Sequence, residues 1–123
     1  MLEKICKAEL SDLPDIAALE SEIFSDAWSL KSLEETWNQK NAVIFAAKTE
    51  EKIAGYLIIY YVLDEGEIAR IVTAPSMRRQ GAAGQMFQEL VEFCEKQQIT
   101  RIMLEVREGN EAARRFYEKC GFT

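Results

Sequence analysis

Residues 71–97 read IVTAPSMRRQGAAGQMFQELVEFCEKQ, and the way this passage folds decides how the rest of the chain is arranged. IVTAP is apolar and β-branched and closes on a proline, as a strand does. Met86, Phe87, Leu90, Val91 and Cys94 then recur on one helical face, with Glu89, Glu92, Glu95 and Lys96 placed mainly elsewhere, which predicts a helix of about four turns. Between the two, RRQGAAG at 78–84 sets two arginines ahead of two glycines and two alanines. The first turn of a helix carries unpaired N–H groups and the positive end of the dipole, so strand, glycine-rich loop and helix together suit a phosphate. Small side chains let an anion reach those amides, and Gly81 and Gly84 also permit positive φ. The competing reading is packing: Gly81 as a turn glycine, with Ala82, Ala83 and Gly84 allowing the helix close to the sheet. The stretch lacks both GxxxxGK[ST] and GxGxxG, which leaves a pyrophosphate held mainly by backbone amides.

Working outward, Leu2–Ala8 alternates as a first strand, and SDLPDI offers Ser11 or Asp12 as a helix cap with Pro14 in the opening turn. Ile16, Leu19, Ile23 and Phe24 follow at helical spacing. A second start at Ser29 leads into Leu30, Leu33 and Trp37. AVIFAA at 42–47 and IAGYLIIYYVL at 53–63 predict a hairpin across a TEEK turn, and DEGE predicts the turn into a strand over Glu67–Pro75. ITRIMLEV at 99–106 is a further strand. NEAARRFYEKCGF reads as a helix from Asn110 to about Lys119, stopped by Gly121. The fold class is therefore α/β (α+β), one domain over 1–123 without repeat or linker.

Composition narrows the function. The chain has 123 residues, 29% charged and 48% hydrophobic, with a net charge of −6 and no histidine. It lacks the basic stripe that nucleic acid requires, and its negative charge suits a cationic substrate as well as plain solubility. Cys6, Cys94 and Cys120 form no CxxC pair, so the expectation is buried free thiols, no metal site and a reducing, cytoplasmic compartment. No segment approaches a membrane span.

On these residues the chain resembles the GNAT superfamily of acetyl-CoA dependent N-acetyltransferases. Arg78, Gly81 and Ala83 match its signature [QR]-x-x-G-x-[GA], and NEAARRFYEKCGF looks like its N-x-x-A-x-x-[FL]-Y-x-x-x-G-F motif. The resemblance implies the GNAT fold, a mixed and mostly antiparallel sheet flanked by helices. It also implies acetyl-CoA as cosubstrate, held by Ile71, Val72 and Thr73 along the pantetheine arm, by Arg78, Arg79, Gln80, Gly81, Ala82, Ala83 and Gly84 around the pyrophosphate, and by Asn110. Within the superfamily, LEVR at 104–107 and Trp28–Ser29 of DAWSLKSL resemble the ribosomal-protein alanine N-acetyltransferases, although Ala27 stands where those enzymes usually have proline. The family normally continues into two further strands beyond Thr123, so the sequence reads as C-terminally truncated relative to it. The resemblance thus implies an exposed sheet edge, which is expected to offer a surface for a homodimer.

The chemistry needs a neutral amine, a polarised carbonyl and a proton for the departing thiolate. An α-amine with a pKa near 7.8 is roughly 14% neutral at pH 7, against about 0.04% for lysine, so a mild base serves. Glu105, a carboxylate in the apolar strand IMLEV, is read as that base, and Tyr117 as the general acid by resemblance; their plain alternatives are an exposed strand residue and a core aromatic. Asn110 also fits as a helix cap, and Thr73 could offer a backbone N–H to the thioester oxygen. A covalent acetyl-cysteine is not expected, for want of a histidine to activate the thiol. The reading is transfer of acetyl to a protein N-terminal amine, the alanine of a ribosomal protein, by direct attack in a ternary complex. A small-amine acetyltransferase and a non-catalytic CoA-binding module are the alternatives.

Overall fold

The computed structural model describes residues 4–49, 52–74 and 82–104. In chain order these form β1 (Lys4–Lys7), a short 3-10 turn (Leu10–Asp12), α1 (Leu13–Ile23), α2 (Leu30–Trp37), β2 (Ala42–Lys48), β3 (Ile53–Val62), β4 (Glu65–Thr73), α3 (Ala82–Gln97) and β5 (Arg101–Leu104). The strands lie side by side in sequence order. The first four are antiparallel and β5 joins β4 in parallel, so the sheet is mixed and mostly antiparallel as expected. A parallel neighbour needs a crossover, and α3 supplies it.

Alternate residues of β3 settle which helices cover which face. The Tyr56 hydroxyl reaches Glu20 of α1, whereas a Cβ on neighbouring Gly55 would meet the Met86 methyl of α3 at 3.2 Å. Thus α1 packs on one side of the sheet and α3 on the other. β3 is the hub, with Ala54, Tyr56, Leu57, Ile58 and Ile59 fully buried between these layers.

Local chemistry explains most boundaries. Asp12 precedes α1 and Pro14 sits in its first turn, but the Asp12 carboxylate does not cap that helix. It accepts the Glu9 N–H at 2.8 Å and pairs with Lys48 at 2.7 Å, which ties the 3-10 turn to β2. Ser29 caps α2 as expected, its hydroxyl accepting the Ser32 N–H at 3.1 Å. Phe24 stands just beyond α1 in extended conformation rather than on its face.

Three further expectations are corrected. The DEGE turn is displaced: β3 and β4 pair as far as Val62↔Glu65, so the turn is Leu63 and Asp64 alone and Gly66 lies inside β4. Leu63 takes φ 54° there, while the Asp64 carbonyl accepts the N–H groups of Thr100 and Arg101 ahead of β5. In α3, Val91 is 48% exposed, and Phe93 takes its place on the buried face. Phe93 meets Phe45 and Tyr61 edge-on, at centroid distances of 5.8 and 5.4 Å. Met86, Phe87, Leu90, Phe93 and Cys94 form the buried stripe of α3, and Val91 falls outside it. β5 begins at Arg101, two residues later than expected, because Gln98 at φ 61° ends α3 and the Ile99 N–H returns to the Cys94 carbonyl at 2.9 Å.

Candidate active site

The strand-to-helix passage that opens the site is built from the end of β4 and the start of α3. Thr73 stands opposite Gly55, Val72 opposite Tyr56 and Ile71 opposite Leu57. The Ala74 N–H bonds the Ala54 carbonyl at 2.7 Å, which makes Tyr56↔Val72 the next hydrogen-bonded pair and Gly55↔Thr73 a non-bonded one. The Thr73 N–H is therefore turned away from β3, as a donor for the β5 side would be. Ile71 and Thr73 share the α3 face and are half-buried, whereas Val72 is buried on the α1 face. A bulge sets this phase: Ile58 pairs with Arg70 and Ile59 with Ile68, leaving Ala69 as the extra residue. Bulges of this kind re-aim the side chains that follow.

Gly55 is demanded by packing. A Cβ there would clash with the Val72 carbonyl oxygen. Gly84 is the opposite case: it is exposed in the first turn of α3, and among the described residues a Cβ would meet nothing within 4 Å. Packing on the sheet does not explain it. An open approach to the helix N-terminus does, and this fits the anionic part of a nucleotide cofactor. Ala82 and Ala83 lie in the same first turn. Arg78, Arg79, Gln80, Gly81, Glu105, Asn110 and Tyr117 fall outside the described residues; Leu104, the residue before Glu105, is in register with Ile68 of β4.

One buried cluster escapes a reading by motif. Glu20 is fully buried on α1, where Oε1 accepts the Tyr56 hydroxyl at 2.6 Å and Oε2 the Trp28 N–H at 2.9 Å. Arg70 of β4 brings Nε to 3.1 Å from Oε1. That N–H is not aimed at the oxygen, so the contact is ionic rather than a directed hydrogen bond. Burial, then the hydrogen bond to Glu20, pushes the Tyr56 phenol far above its usual range, which keeps it protonated as the donor. The signal was available: Glu20 lies four residues after Ile16 and three before Ile23, within the apolar stripe of α1.

Of the two described thiols, Cys6 is half-buried rather than buried, and Cys94 behaves as a structural group. Cys94 is buried, and burial raises its pKa, which suppresses the reactive thiolate. Among the described residues no group of His, Cys, Asp and Glu could hold a metal ion, and no helix is long and apolar enough to cross a membrane. A groove of about 360 Å³ bordered by Lys7, Trp37, Tyr61 and Phe93 lies at the opposite end of the sheet from Thr73 and Gly84, so its size does not make it the site.

A family model described as the acetyltransferase (GNAT) family matches residues 13–122. The chain belongs to this family. It is 30% identical, over 98% of its length and 81% of the relative's, to the ribosomal protein bS18-alanine N-acetyltransferase of Escherichia coli (strain K12). The crystal structure of the ribosomal-protein-S18-alanine N-acetyltransferase from Escherichia coli superposes with a TM-score of 0.89 at 30% identity, covering the whole chain and 78% of that structure. A more distant structure, AAC(6')-Iy in complex with the bisubstrate analogue CoA-S-monomethyl-acetylneamine, shares the fold at a TM-score of 0.84 and 16% identity, over 98% of this chain and 90% of that one. This GNAT protein is thus an N-acetyltransferase, and the fold expected from RRQGAAG and NEAARRFYEKCGF is the one found.

Proposed function

We propose that this N-acetyltransferase transfers acetyl from acetyl-CoA to the N-terminal α-amine of a protein, and that its acceptor is the N-terminal alanine of a ribosomal protein. The observation that carries this reading is the 30% identity to the Escherichia coli bS18-alanine enzyme, which runs through 98% of the chain rather than through the cofactor motif alone. Residues 1–123 act as one catalytic domain.

Bound acetyl-CoA supplies a thioester whose carbonyl carbon accepts the amine nitrogen while the carbon–sulfur bond breaks. The rest falls to the protein. The first-turn amides of α3, with Gly84 leaving them open and Arg78 and Arg79 ahead of them, hold the pyrophosphate; Gln80, Gly81, Ala82 and Ala83 complete that cradle, and Asn110 adds a contact. Ile71, Val72 and Thr73 align the pantetheine arm along β4, and the Thr73 N–H faces the thioester oxygen. Glu105 takes the proton lost by the amine, through water, and Tyr117 gives a proton to the thiolate. An α-amine needs no stronger base, because its pKa near 7.8 leaves roughly 14% neutral at pH 7. Attack is direct, within a ternary complex.

The acceptor class is tested by comparing kcat/KM for a peptide beginning with alanine against that for a polyamine, both with acetyl-CoA. A preference of about a hundredfold or more for the peptide is expected. A preference for the polyamine overturns the protein acceptor, and cofactor binding without turnover on any amine points to a binding module.

A further inference from the structure

The connection between α1 and α2, residues 24–28, is held against β4 by two charged side chains that none of the acetyl-transfer steps uses. Glu20 and Arg70 each bond its main chain once, and Arg70 Nη2 also lies 3.7 Å from the Asp26 carboxylate. Glu20 Oε2 accepts the Trp28 N–H at 2.9 Å, and Arg70 Nη2 donates to the Asp26 carbonyl at 3.3 Å. The Arg70 guanidinium also lies 4.1 Å from the Phe24 ring centroid and 5.8 Å from that of Trp28. Three of the five residues of the connector are therefore fixed by one pair.

Stability alone is a poor reason for such a pair. Taking a carboxylate and a guanidinium out of water is costly, and well-packed apolar residues often replace buried pairs without loss. What charges supply and apolar side chains cannot is a defined geometry for the main-chain groups they bind. The location gives that geometry a use. Arg70 immediately precedes Ile71–Thr73, and Ile68, two residues earlier, is in register with Leu104 at the end of described β5. The connector and the strand leading to Glu105 thus meet β4 within two residues of each other, on a level with the thioester expected beside Ile71–Thr73.

We propose that the Glu20–Arg70 pair is a positioning device that fixes the 24–28 connector as the wall against which the acceptor amine docks, an inference that rests on the acetyltransferase reading above. Glu20 and Arg70 are positioning residues: they touch the connector, and the connector touches the acceptor.

The test replaces both partners, Glu20→Gln with Arg70→Met, so that neither charge is left buried alone, and uses Arg70→Lys as the conservative variant. Amide hydrogen exchange at residues 24–28 reports the connector directly. It should accelerate about tenfold or more in the double variant while the β2–β3 ladder stays protected. In steady state, KM for the alanine peptide should rise about tenfold, with kcat and KM for acetyl-CoA within about twofold, and Arg70→Lys should fall between. Unchanged protection at 24–28, or a loosened connector with an unchanged peptide KM, overturns the proposal. So does loss of protection across the whole sheet with kcat and both KM values moving together, which marks a merely structural pair. If the unmodified enzyme acetylates no α-amine, the proposed function and the docking role fail together, and exchange at 24–28 still decides whether the pair holds the connector.

Discussion

Gly84 separates binding from packing within a single residue. It sits in the first turn of a 16-residue helix with open space where its Cβ would be, so the folded protein gains nothing visible from its being glycine. Gly84→Ala should accordingly stabilise the free protein by about 0.5–1 kcal/mol through helix propensity while weakening acetyl-CoA binding several-fold, as read by denaturant unfolding and calorimetry. Unchanged cofactor affinity in the stabilised variant removes Gly84 from the cradle. Tyr117→Phe keeps the ring and deletes the proton; turnover should fall by about 10²-fold or more with acetyl-CoA affinity intact, and equal turnover excludes the acid role. The sequence proposes both residues because family motifs mark chemistry by residue type at fixed spacing. Glu20 and Arg70 were less legible: each stands alone in an apolar pattern, and only the fold shows that α1 and β4 bring them within 3.1 Å.

At the scale of elements, the ends carry the surprises. Helix α3 closes with Gln98 at φ 61° and a bond from the Ile99 N–H back to the Cys94 carbonyl, the arrangement in which a left-handed residue, usually glycine, terminates a helix. Gln98→Gly should relieve that strain and raise stability by about 0.5–1 kcal/mol net of the added chain entropy; a lower denaturation midpoint contradicts this reading of the helix end. The β3–β4 turn follows the same logic. DEGE attracts a turn prediction by composition, yet the pairing register continues to Glu65 and forces the left-handed position onto Leu63, which is 87% exposed. Periodicity located every described strand and helix to within a few residues. It missed these termini because pairing register and a backbone bond across five residues are tertiary facts that local composition does not encode.

Across the whole molecule, three groups share one sign of pH dependence. Burial raises the pKa of Cys94 above its ordinary 9.0, burial and the bond to Glu20 raise Tyr56 above 10.0, and the hydrogen bond to Asp12 raises Lys48 above 10.5. In each case the folded state holds its proton more tightly than the unfolded chain, so the contribution to stability is complete below the unfolded pKa and is lost as pH rises towards the folded one. Thermal midpoints should therefore decline above about pH 9, with Cys94→Ala removing the earliest part of the decline; a flat profile to the ordinary lysine range contradicts the assignment. The overall architecture was the most legible feature, since the strand and helix patterns of residues 71–97 are those of β4 and α3, and α3 is the crossover that sets β5 parallel to β4. The acceptor is the least legible, because RRQGAAG bears only on the proposed cofactor cradle and says nothing of the amine.

The central claim is acetylation of an α-amine, and the most direct measurement is mass spectrometry of a peptide that begins with alanine and carries an internal lysine, incubated with the enzyme and acetyl-CoA. The account predicts a single added acetyl group, located on the α-amine by fragmentation, and its disappearance with Glu105→Gln at neutral pH. Acetyl on the lysine alone, or on neither amine while acetyl-CoA still binds, would contradict it.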